Sequence, residues 1–136
     1  MPRPPQPPPE FFLDRSLGRV IVAHALRSLG HMVQTMAEVY GEDLAVSDVR
    51  WMGDADAAGW VALTKDERIT RRPNEQEALA ASRLRVFAIG NQHLTGPEMA
   101  QYYVTNINRI LRRCRKPGPF VDVVYRDSVV RRWPKS

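Results

Sequence analysis

Short apolar runs alternate with amphipathic stretches from Phe11 to Trp133, and this alternation predicts strands and helices in turn. Phe11-Phe12-Leu13-Asp14 is the first run, closed by an aspartate. Ser16 is placed to cap a helix with Leu17, Val20, Ile21, Ala25 and Leu26 on one face, ended by Gly30. His31–Met36 reads as the second strand. A loop around Gly41-Glu42-Asp43 leads to Ser47, another N-cap, and a helix from Asp48 to about Ala58. Gly59 closes that helix, and Trp60–Thr64 is the third strand. Asn74–Ser82 reads as a short helix and Arg85–Ile89 as the fourth strand. Thr95-Gly96-Pro97-Glu98 is a capping box with proline in the first turn. The helix it opens carries Met99, Tyr103, Ile107, Ile110, Leu111 and Cys114 at helical spacing, and Pro117-Gly118-Pro119 stops it. Phe120–Tyr125 and Val129–Trp133, around Arg126-Asp127-Ser128, have the form of a hairpin.

Strand–helix alternation implies an α/β fold, a mainly parallel sheet with helices on both faces, finished by the C-terminal β-hairpin. Residues 1–9 are mostly proline and are expected to be an extended, disordered tail; residues 10–136 are expected to form one domain. There is no internal repeat.

Composition narrows the setting. The lone cysteine, Cys114, cannot make an internal disulfide and sits at a core-facing helical position, as a structural thiol does. No run approaches the roughly 18 to 20 apolar residues of a membrane span, and the N-terminus lacks the apolar core of a signal peptide. The expectation is a soluble, cytoplasmic protein that does not enter a membrane. Formal charge is +5 and the basic residues are mostly arginine, a balance that suits a phosphate-bearing polyanion.

The chemistry is concentrated in carboxylates. In an open parallel sheet, ligands collect beyond the carboxyl ends of the strands. Asp14 and Asp66, each closing an apolar run, are delivered there by separate strands. Two such groups repel each other or hold a cation. Hard oxygen donors suit Mg²⁺ or Mn²⁺, which points to phosphate-ester chemistry. Asp48 stands in a first helical turn, where an acid also complements the helix dipole. Glu42 and Asp43 lie in a glycine-containing loop, where solvated acids are the rule. Asp54 and Asp56, two apart on a helix, do not face one site. Neither a dinucleotide-binding glycine motif nor a P-loop is present. His24, His31 and His93 lack metal-binding spacing, and Trp51 and Trp60 read as core.

Three segments carry a family resemblance: Phe11-Phe12-Leu13-Asp14-Arg15-Ser16-Leu17, Ser47-Asp48-Val49-Arg50-Trp51-Met52, and Gly59-Trp60-Val61-Ala62-Leu63-Thr64-Lys65-Asp66, the last ending in a Thr-x-Asp motif. In this order they resemble the PIN-like nucleases, in particular the VapC-type toxins, from Phe11 to about Trp133. The resemblance implies a three-layer α/β/α PIN-like domain. It also implies a metal-dependent endoribonuclease with Asp14, Asp48 and Asp66 as catalytic and metal-binding acids and Mg²⁺ or Mn²⁺ as cofactor. A further acid is frequent in the family; Glu42 and Asp43 are the candidates by loop position, and Glu42 is taken as the additional metal ligand. Arg50 stands where several relatives carry an acid, which leaves a second metal ion open. Arg15, Lys65, Arg68, Arg71 and Arg72 are placed to grip the phosphates of an RNA substrate. The implied partners are RNA and a cognate antitoxin, with a homo-oligomer left open. A catalytically silent RNA-binding or protein-interaction module on the same fold is the alternative. A phosphoacceptor signalling domain fits less well, because it needs adjacent acids after the first strand and Arg15 follows Asp14.

Overall fold

The computed structural model describes residues 7–42 and 45–135. Residues 1–6 of the expected tail, and the loop acid Asp43, lie outside the described residues. Six strands form one sheet: β1 (Glu10–Leu13), β2 (Met32–Thr35), β3 (Val61–Thr64), β4 (Arg85–Ile89), β5 (Phe120–Val124) and β6 (Val129–Trp133), in the order β2-β1-β3-β4-β5-β6. The four pairings from β2 to β5 are parallel, and β6 returns antiparallel as the second arm of the hairpin. Chain order reverses between β1 and β3, so the fold's switch point lies at their carboxyl ends.

Two-residue alternation along the strands separates two cores. Phe11, Leu13, Leu63, Phe87 and Phe120 face one side, where α1 (Ile21–Ser28), α5 (Gly96–Thr105) and α6 (Ile107–Arg113) cover them. Phe12, Ala62, Val86, Ala88 and Val121 face the other, under α2 (Met36–Tyr40), α3 (Asp48–Ala58) and α4 (Pro73–Ala80). On that second face Phe12 packs against Trp51 and stacks on Trp60, each with ring centroids 5.5 Å apart. Trp51 is fully buried, and Cys114 is buried with its thiol pushed up to about 11 by that burial. No helix among the described residues is long and apolar enough to cross a membrane.

Several boundaries differ from the sequence expectation, each for a local reason. The helix expected after Ser16 starts only at Ile21. The segment Arg15–Leu17 is a 3₁₀ turn capped by the Asp14 carboxylate, which accepts from the Ser16 backbone N–H. The buried face of α1 is consequently Val22, Ala23 and Leu26, whereas Val20 and Ile21 are exposed. The second strand stops at Thr35, because Thr35 and Glu38 form a reciprocal capping box that opens α2. The helix from the second capping box is divided at Asn106 into α5 and α6. The buried Asn106 amide donates to Tyr102 O and Tyr125 O, both at 2.8 Å, and to Arg126 O at 3.1 Å, which ties the helix break to the hairpin turn. By contrast α3 follows its expected bounds, with Ser47 accepting from Arg50 N and Gly59 in the left-handed conformation that lets a helix end.

Inside the second arm of the sheet, Asp122 is fully buried and accepts from Arg113 Nε at 2.6 Å and from Arg131 Nε at 2.7 Å. This pair of arginines holds α6 and β6 against β5. Because a buried carbonyl left without a donor costs about 1–3 kcal/mol, Asn106→Ala is expected to lower unfolding free energy by about 2 kcal/mol. Urea denaturation of the variant, showing a lower midpoint at unchanged slope, checks this.

Candidate active site

Alternation places Phe12, Ala62 and Thr64 on the α3–α4 side of the sheet, and Asp14 continues that phase one residue beyond β1. The backbone N–H of Asp14 donates to Leu63 O at 3.2 Å, so β1 and β3 stay paired to the point where the carboxylate begins. Thr64 Oγ1 donates to Asp14 Oδ2 at 2.6 Å. The Ser16 backbone N–H donates to Asp14 Oδ1 at 3.0 Å, and the Ser16 hydroxyl bonds the same oxygen. Asp14 itself is 5% exposed. Burial pushes its carboxyl up to about 6; the bonds from Ser16 and Thr64 oppose the shift, and the charge of Asp48 adds to it.

Asp48 opens α3 behind its Ser47 cap, and the Trp51 indole N–H donates to its Oδ1 at 2.9 Å. Asp66 follows β3; its backbone N–H donates to Thr64 Oγ1 at 3.0 Å, and its carboxylate caps the 3₁₀ turn Glu67–Thr70 by accepting from Arg68 N at 3.0 Å. Thr64 therefore serves two acids, donating to one and anchoring the other's backbone.

The Arg72 guanidinium joins these carboxylates. It binds Asp66 directly, lies 3.7 Å from Asp48 Oδ2, and its Nε lies 3.5 Å from Glu75 Oε1. That Nε is buried and makes no hydrogen bond. Glu75 escaped the sequence reading. Its signal was the three-residue spacing from Arg72 at the start of α4, a spacing found equally on ordinary solvated helix faces.

The remaining expected residues divide into three groups. Glu42 is exposed and pairs with Arg19 at 3.1 Å, so it stands outside the set that Arg72 gathers. Arg72, expected to face RNA, is engaged with the acids: three carboxylates, those of Asp66, Asp48 and Glu75, converge on it. Arg68 is exposed and 3.6 Å from Asp66, Arg71 is exposed, and Lys65 is partly buried. Arg15 lines a shallow cavity of about 200 Å³ with Arg19 and Glu42. Asp54 and Asp56 are structural: Asp54 accepts from the Tyr40 hydroxyl at 2.5 Å, and Asp56 accepts from Arg83 N at 2.9 Å. Arg50 packs its guanidinium over the Tyr40 ring.

Among the described residues, no three His, Cys, Asp or Glu side chains already stand close enough to hold a metal ion together. The donor chemistry nevertheless suits one: the acids present hard oxygens, and Arg72 shows that Asp48 and Asp66 accept a shared positive charge. Asp14, Asp48 and Asp66 are the residues that would hold Mg²⁺ or Mn²⁺; oxygens of Asp48 and Asp66 face Arg72 here.

Comparison with known proteins gives the family. Residues 9–91 match the family described as "PIN like domain", a span that holds all three aspartates, Arg72 and Glu75. The chain is 35% identical over 123 residues to the protein named "Putative ribonuclease VapC45" of Mycobacterium tuberculosis (strain ATCC 25618 / H37Rv), covering 89% of each chain. No solved structure matches it. A six-stranded sheet with acids at the β1/β3 switch point, the family match and this relative lead to one conclusion: the chain belongs to the PIN-like domain family, among its VapC-type members.

Proposed function

We propose that the chain is a metal-dependent endoribonuclease that cleaves RNA phosphodiester bonds as the toxin of a toxin–antitoxin pair. The observation that carries this reading is the grouping of Asp48 and Asp66 around one positive charge, with buried Asp14 joined to Asp66 through Thr64 and within reach of the Asp48 charge. When bound, Mg²⁺ or Mn²⁺ supplies a coordinated water of lowered pKa and positive charge against the attacked phosphate. The chain's own contribution is orientation. Ser16 and Thr64 fix both oxygens of Asp14, Trp51 fixes one oxygen of Asp48, and the Arg68 backbone fixes Asp66. Arg15, Lys65, Arg68 and Arg71 grip the flanking backbone phosphates, where their charge is worth most at low salt. The antitoxin is a protein that covers this acidic entrance.

The specific observation on the side of a catalytically silent module is Arg72, which already neutralises the acids. The two readings differ in outcome. In a nuclease, wild-type protein cleaves single-stranded RNA with Mg²⁺ or Mn²⁺ and not with EDTA. Asp48→Asn and Asp66→Asn are expected to lower that rate at least about 100-fold while RNA affinity persists. A wild-type protein that cuts no RNA with either metal defeats the reading.

The buried Asp14 carboxyl makes the metal-free fold pH-dependent. Its pKa rises from 3.8 to about 6 on folding, so the protonated form is favoured in the native state. That contribution is fully present below about pH 4 and is lost as pH rises through about 6, amounting to about 3 kcal/mol by pH 7. Asp14→Asn is expected to flatten this decline in EDTA while abolishing cleavage, as read by thermal unfolding from pH 4 to 8.

Arg72 and a metal ion compete for the same oxygens. Arg72→Gln is expected to raise Mn²⁺ affinity about tenfold by calorimetry or by the free-Mn²⁺ electron paramagnetic resonance signal. Unchanged or weaker Mn²⁺ binding would remove Arg72 from its role as a competitor.

A further inference from the structure

Beside the acids lies a recess of about 380 Å³ lined by Thr70, Arg71, Gln76, Arg132, Trp133 and Lys135. One wall is the segment that runs from Asp66 into α4, and the other is the C-terminal strand β6. The two walls meet near the catalytic group: Arg132 Nη2 lies 3.4 Å from the carboxylate of Glu67, the residue after Asp66, and Arg71 precedes the Arg72 that binds Asp66.

A local irregularity shapes the second wall. Val121 pairs with Trp133 and Asp122 with Arg131, so Arg132 is an extra residue in β6. A regular strand would send Arg132 and Trp133 to opposite faces, whereas a bulge re-aims side chains. Here both line the recess, while Arg131 points to the other face and is held by buried Asp122. Trp133 packs in part against the second core, which holds its ring in a defined place.

The charge is one-sided. Arg71, Arg132 and Lys135 bring three cations, and among the described residues only Glu67 stands within ion-pair distance of any of them. Arginine forks and a lysine suit phosphate oxygens, a partly exposed indole suits the face of an unstacked base, and Thr70 and Gln76 add neutral donors and acceptors. An acidic peptide would engage the cations but leave the indole without a flat partner. The volume is that of a small-ligand site.

We propose that this recess binds the nucleotide of single-stranded RNA that flanks the cleaved bond, with Arg71, Arg132 and Lys135 on phosphate and Trp133 under the base. Its position relative to the cut rests on the nuclease reading; the binding itself does not. The test therefore measures affinity in EDTA, where no cleavage occurs, using fluorescein-labelled single-stranded RNA oligomers and anisotropy at several KCl concentrations. Arg132→Gln combined with Lys135→Ala is expected to weaken binding about tenfold. It should also flatten the slope of log affinity against log salt by about 1.4, since each phosphate contact on a single strand accounts for about 0.7. Trp133→Phe should keep most of the affinity, and 4-thiouridine in the RNA should crosslink within residues 132–135. Lys135→Ala alone, at an exposed position, should show the same effect at about half its size and guards against a folding artefact. Unchanged affinity and slope in the double variant would overturn the proposal. So would polyglutamate binding that the double variant loses while RNA binding stays intact, which would assign the recess to an acidic protein segment. Absence of cleavage by the wild type would defeat the nuclease reading separately, with the EDTA measurement still deciding the recess.

Discussion

The hydrogen bond from Thr64 to Asp14 is the interaction on which the rest of the site depends. A carboxylate that is 5% exposed needs partners for its oxygens, and a β-sheet offers few side-chain donors. Parallel pairing of Leu13 with Leu63 brings Asp14 level with Thr64, and the threonine hydroxyl then reaches one carboxylate oxygen while Ser16 takes the other. The same hydroxyl accepts from Asp66 N, so the chain leaves β3 in the direction that delivers the second acid. From there the Asp66 carboxylate caps the turn that leads to Arg72 and α4. One hydroxyl thus links the strand pairing, the buried acid and the path of the following loop. Tyr103 supports the same point from the opposite core, with its hydroxyl 2.9 Å from Phe87 O and 3.2 Å from Thr64 O.

Charge organises the molecule around this point. Acids that converge without a counter-charge repel one another, and here the chain supplies the counter-charge itself through Arg72. Arg68 also reaches Asp66, at 3.6 Å, from an exposed position. Arg71, Arg132 and Lys135 cluster in one recess, and Arg15 lies by another.

The family match ends at residue 91, just beyond β4, whereas the alignment to the mycobacterial relative covers most of the chain. The acid centre therefore lies within the span that matches the family. The C-terminal part, α5 to β6, covers one face of the sheet through Met99, Tyr103 and Ile110 and adds the bulged strand that walls the basic recess. The Glu67–Arg132 ion pair joins these two lengths of chain.

Much of this architecture was legible in the residues. Local signals are strong where a single side chain closes a backbone hydrogen bond, so the Ser47 and Thr95 caps, the Gly59 stop and strand β4 lie where the pattern predicts. Asp14 and Asp66 stood out because a charge at the end of an apolar run is costly unless the strand ends there. The sequence by itself determined the alternation of strands and helices, the parallel sheet and the aspartates at its edge. The helix break at Asn106, the bulge at Arg132 and the turn at Ser16 were not legible, since each is held by contacts to groups distant in the chain or to an unanticipated cap. The tertiary structure alone decided that Arg72 belongs with the acids and that Glu75 joins them, while Glu42 pairs with Arg19. The reason is physical: a side chain's partner depends on which surfaces the sheet and helices bring together, and residue spacing along the chain carries no information about that distance.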